Sequence, residues 1–191
     1  MRIYITSALY TAIFLWLFYL VLILNRSVVY AENGLLENIQ VLTLLATCII
    51  FFIPTISQKR EDKLILLFFS FLSLAFILRE IDVERLDVSS ILVFIGSGIG
   101  RNTLLGVGFI AIFTYAIVNH TYYKKLIKPF FTSKGGVLLV LAGIFLLIGD
   151  RFENYDTMYI HVFIEEMFEL LGYLFMLLSA LIFSKNRLLA T

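Results

Sequence analysis

The chain has 191 residues, of which 61% are hydrophobic and 15% charged, with a mean hydropathy of +0.97 and a formal net charge of +1. Soluble domains of this length do not contain uninterrupted apolar runs such as 64–78 and 137–148, so a water-soluble enzyme is excluded. A single all-α polytopic membrane domain is expected, with connections too short to hold a separate soluble domain.

Six apolar segments of about the 20 residues needed to cross a hydrocarbon core follow one another: 3–24, 36–56, 64–83, 102–121, 130–149 and 157–184. All are read as helices, because an open strand leaves its backbone unsatisfied in lipid. The first follows Arg2, and Val29-Tyr30-Ala31 is similar to a signal-peptide cleavage site. Its apolar run exceeds the roughly 7–15 residues usual for a signal, so it is expected to stay as a span. The second opens with Glu37, Asn38 and Gln40, with Thr43 and Thr47 further in, and carries the single cysteine, Cys48, as an apolar filler. The third follows Lys59, Arg60 and Lys63, and closes on Arg79, Glu80 and Asp82 after a charge-free run.

Between the third and fourth segments lies 88–100, apolar but too short to span, ending in Gly96, Gly98 and Gly100. It is expected to lie along the membrane surface or to re-enter it on the outer side, with the glycines allowing a sharp turn. The fourth segment runs into Tyr122, Tyr123, Lys124, Lys125 and Lys128, an interfacial anchor attractive to anionic lipid or to a cytoplasmic partner. The fifth ends on Asp150, Arg151 and Glu153. The sixth brings His161, Glu165, Glu166 and Glu169 into an otherwise apolar helix, followed by Gly172, which suits a close helix contact.

The basic residues alternate from one set of connections to the other. Ten of the fifteen fall on the side that carries Arg2, Lys59, Lys124 and Lys185, and twelve of the fourteen acidic residues fall on the opposite side. The excess of Lys and Arg places the first set in the cytoplasm, with both termini there, in a plasma (inner) membrane.

The chemistry concentrates on the outer side. His161, Glu165 and Glu169 recur every four residues and so share one helix face. A charge at bilayer depth costs roughly 2.5–3.5 kcal/mol on insertion scales, so that face must meet protein, water, a cation or protons. With a helix start near Thr157, Glu169 lies about 18 Å in, near the middle of the bilayer. An outward-opening polar pocket is expected from Glu37, Gln40, Arg79, Glu80, Asp150, His161, Glu165, Glu166 and Glu169. Partners for Glu169 are Arg79, Gln40, or a cation shared with Glu165 and His161.

Three functional classes fit. The first is a non-catalytic sensor or assembly subunit, in which these groups hold helices to each other, to a second copy or to a protein partner. The second is a metal-dependent hydrolase acting on a lipid-like substrate, with a divalent ion on His161, Glu165 and Glu169 and with Glu37 as ligand or base. Only one other histidine exists, His120, and it belongs to the inner side, so a three-histidine zinc centre cannot be assembled. The third is a proton- or cation-coupled transporter using Glu169, although the inner half carries no deep ionisable group. Gly96-Ser97-Gly98 with His161 loosely resembles a rhomboid protease. Ile95 stands where that family's serine motif has glycine, and the acidic pair Glu165-Glu166 replaces the glycines after its histidine. Membrane lipid is the expected partner, and nucleic acid is not.

Overall fold

The computed structural model describes residues 2–31, 34–56, 60–81, 83–85, 88–153 and 161–185. Among these the chain is all-helical, with no strand. Helix α1 (Arg2–Phe18) continues through a wide π turn, Tyr19–Ile23. Asn25 then takes a left-handed conformation, φ 48°, which asparagine adopts more readily than most residues and which turns the chain. A short 3₁₀ turn (Ser27–Tyr30) leads towards α2 (Leu35–Ile56), and α3 (Lys63–Glu80) follows. Beyond α4 (Ser90–Gly96) come α5 (Gly98–Val118), α6 (His120–Thr132), α7 (Lys134–Glu153) and α8 (His161–Lys185).

Helix α8 is the centre of the bundle. It packs against α7, α2 and α1, while α3 packs against α2 and α5. Two thirds of the apolar stretch of α8 is buried, and none of that of α5. Small residues bring α7 and α8 together. A methyl group at Gly172 would lie 2.8 Å from Leu146 Cγ and 3.2 Å from the Ala142 carbonyl, so the backbones approach as only glycine allows. Near the basic ends of the helices, Phe130 stacks on Phe183 with ring centroids 4.6 Å apart and on Phe69 at 5.6 Å.

Among the described residues five stretches are long and apolar enough to cross a membrane: Ile3–Ile23, Ser27–Ile56, Gly98–Val118, Lys134–Phe152 and His161–Lys185. Helix α3, expected as a full span over 64–83, stops at Glu80, and its eighteen residues include Lys63, Arg79 and Glu80. The sixth expected span begins at 157, but 157–160 lie outside the described residues, and α8 is described from His161.

Two connections carry helices of their own. Within 88–100 only Ser90–Gly96 is an α-helix before Ser97 breaks it with an extended backbone, φ −132° and ψ 164°. Gly98 then restarts the helix at φ +50°. At 1.5 Å per residue, α4 is about 10 Å long. The lysine-rich connection between the fourth and fifth segments is not a loop but the amphipathic helix α6, with Leu126 and Phe130 buried and Lys124, Lys125 and Lys128 exposed.

Candidate functional site

Four helices bring polar or small residues to one level. Gln40 on α2, Arg79 on α3 and Glu169 on α8 each stand sixteen residues from the Ile56, Lys63 and Lys185 ends of their helices. Gly149 on α7 stands fifteen residues from Lys134. At 1.5 Å per residue all four lie about 22–24 Å from those ends. Gly149 leaves room for the layer: a methyl group there would meet Glu169 Cγ at 3.1 Å.

The layer holds two hydrogen-bonded groups. In the first, Arg79 Nη2 donates to Glu169 Oε1 at 2.5 Å, to Glu80 Oε1 at 2.9 Å and to the Tyr173 hydroxyl oxygen at 3.2 Å, while Arg79 Nε donates to Glu80 Oε1 at 3.1 Å. Tyr173 in turn donates its hydroxyl proton to Glu80 Oε1 at 2.7 Å. The side chains of Glu80 and Glu169 are each 7% exposed, and that of Arg79 is 51% exposed. Two buried carboxylates therefore share one guanidinium, whose outer half stays accessible. A planar guanidinium with its several fixed donors suits this geometry, where a lysine ammonium could not cover both partners in one plane.

In the second group, Gln40 Nε2 donates to Glu166 Oε2 at 2.8 Å and to the Glu166 carbonyl at 3.0 Å, which ties α2 to α8. Gln40 is fully buried, and its Oε1 accepts no hydrogen bond among the described residues. One turn further along α2, Thr43 is hydrogen-bonded to Tyr10, which ties α1 to the same region.

Of the expected partners for Glu169, Arg79 is the one the structure seats against it, and Gln40 goes to Glu166 instead. Glu169 lies eight residues, about 12 Å, into the described part of α8, level with the last turn of α3. Glu37, His161 and Glu165 are half-buried at the ends of α2 and α8, and Asp150 is exposed at the end of α7. Their neighbourhood includes 154–160, which lies outside the described residues. Among the described residues no three His, Cys, Asp or Glu side chains converge as a metal site would require. Ser97 donates to the Val93 carbonyl at 2.8 Å, in the role of a turn residue where α4 ends.

Two groups were not singled out by sequence reasoning. Tyr173 is fully buried and completes the arginine network. Its only sequence signal is the four-residue spacing from Glu169. At the opposite end of the bundle, Arg60 grips Asp62 through two bonds, Nε to Oδ1 at 2.9 Å and Nη2 to Oδ2 at 2.8 Å. Arg60 Nη1 also donates to the Phe183 carbonyl at 2.8 Å, in the last turn of α8. Their side chains are 6% and 3% exposed. Helix C-termini leave carbonyls unsatisfied and carry partial negative charge, so a buried arginine is well matched there. Helix α8 is thus held by an arginine near each end.

No protein-family model matches the chain, and neither a curated protein nor a solved structure is similar enough to place it in a family.

Proposed function

We propose that this chain is a non-catalytic, multi-pass plasma-membrane protein, a sensor or an assembly subunit, in which the polar layer fastens α8 to α3 and α2. The observation that carries this reading is the closure of the Arg79–Glu80–Glu169–Tyr173 network. The carboxylate on the central helix is engaged by a fixed cation and is not presented to a substrate. In this reading α3 also spans, as the third of six. It is short because its outer turn ends in the network, and α4 lies on the outer leaflet. With Lys63, Lys134 and Lys185 near one boundary of a core about 30 Å thick, a layer about 24 Å away sits just inside the opposite boundary. An arginine half open to headgroups is tolerable at that height, and its long side chain reaches inward to Glu169.

A second reading is favoured by one observation. Among the described residues the buried Gln40 Oε1, beside Glu166, has no donor, an arrangement that suits a bound proton or cation. Two measurements separate these readings and the metal-hydrolase alternative. The purified protein should contain metal well below one equivalent, and proteoliposomes should show no proton flux under an imposed pH gradient. Stoichiometric metal lost on Glu169→Gln, together with hydrolysis of a lipid-like substrate, would establish the hydrolase alternative. Flux lost on Glu166→Gln would establish the transporter.

Orientation has its own test. With Cys48 replaced by alanine, a cysteine at exposed Ala31 should react with an impermeant thiol reagent added outside intact cells, and one at exposed Lys125 should not. Labelling at Lys125 from outside would reverse the topology.

A further inference from the structure

We infer that the basic end of the bundle binds an anionic phospholipid, with an acyl chain in the cleft between α3, α5 and α6 and the phosphate held by lysines of α6. The inference rests on the membrane reading above. The cleft has a volume of about 240 Å³, and Leu64, Phe68, Phe113, Ala116, Tyr123 and Ile127 are among the side chains that wall it. Every wall is apolar or aromatic, so it offers no hydrogen bond to a polar ligand. Within a bilayer such a groove has no water to expel, and a hydrocarbon chain that fits it gains dispersion contacts on several sides at once.

Charge decides which lipid. Helix α6 is amphipathic, with Leu126 and Phe130 turned into the bundle. Lys124 and Lys128 are exposed and one turn apart, so they share a face, and that face adjoins Ile127 at the cleft. Lys63 opens α3 immediately before Leu64. The Tyr122 hydroxyl donates to the Glu61 carbonyl at 3.2 Å, which holds the start of α6 beside the start of α3. The cleft and these lysines are therefore at one end of the bundle. Of the two acidic residues there, Asp62 is buried against Arg60, and Glu61 is exposed. The cleft is also firmly backed, because Phe130 stacks between Phe69 and Phe183. The arrangement matches an in-plane helix lying at the headgroup level.

The test places a reporter in the cleft. In a Trp16→Phe background, Phe113→Trp puts the sole tryptophan at a half-exposed cleft position. The protein is reconstituted in phosphatidylcholine containing brominated phosphatidylglycerol or, separately, brominated phosphatidylcholine. Each lysine near the surface favours an anionic headgroup by about fivefold, so brominated phosphatidylglycerol should quench at a mole fraction roughly 25-fold lower. Lys124→Gln with Lys128→Gln should make the two lipids equal. Phospholipid retained by the protein without the tryptophan substitution after mild-detergent purification should likewise be enriched in anionic species, and lose that enrichment in the lysine variant. Equal quenching by both lipids before the lysines are changed would overturn the site and leave ordinary boundary lipid. Absence of quenching by either lipid, in protein that resists carbonate extraction, would overturn it as well. Release by carbonate would instead overturn the membrane reading.

Discussion

Arg60→Leu should be the most destabilising single substitution in the chain. It removes both bonds to Asp62 and the donor to the Phe183 carbonyl, and leaves a carboxylate only 3% exposed without its cation. Removing one partner of a buried pair costs about 3–5 kcal/mol, because the remaining charge stays desolvated. For a chain of this length that corresponds to roughly 6–20 °C in midpoint temperature, read by thermal unfolding in detergent. Asp62→Asn should cost less, since an amide oxygen still accepts from the guanidinium. Leucine at both positions should recover part of the loss. Equal, small effects of all three would mean that this end of α8 is held by the aromatic stack instead.

Arg79→Leu should come second, at about 2–3 kcal/mol. It removes the shared cation from Glu80 and Glu169, while Tyr173 still donates to Glu80. The cost is placed below the usual range for a broken buried pair because half of the arginine side chain is open to its surroundings. Glu169→Gln should cost about 1 kcal/mol, as its amide oxygen keeps the bond to Arg79. Thermal midpoints in detergent, read beside expression level, check the order. Glu169→Gln proving worse than Arg79→Leu would contradict a clamp.

The helical class and the approximate apolar segments were legible because runs of twenty apolar residues allow few other folds. The pairing of Arg79 with Glu169 was legible for a related reason: so few polar groups accompany Glu169 that its partners could be named. That the pair stands level with the last turn of α3 is a matter of packing, which composition does not encode. Helix α6 reads as a charged connection because Lys124, Lys125 and Lys128 dominate its composition. The four-residue recurrence of Tyr122, Leu126 and Phe130 was its signal. Arg60 and Asp62 gave no signal at all. Two residues apart in a connection, they look like ordinary surface charges until α8 ends beside them. The polar pocket was expected as one assembly. Of its members, Arg79, Glu80 and Glu169 share one hydrogen-bonded network and Gln40 binds Glu166.

A double-mutant cycle on Arg79 and Glu169 tests the clamp most directly, with thermal stability measured for Arg79→Leu, Glu169→Leu and the pair together. A buried charge pair that holds α8 to α3 should show strong coupling. The double variant should be at least as stable as Arg79→Leu alone, because removing Glu169 relieves one stranded carboxylate, and the coupling should amount to about 1–3 kcal/mol. Additive losses, with no coupling between the two positions, would contradict the account.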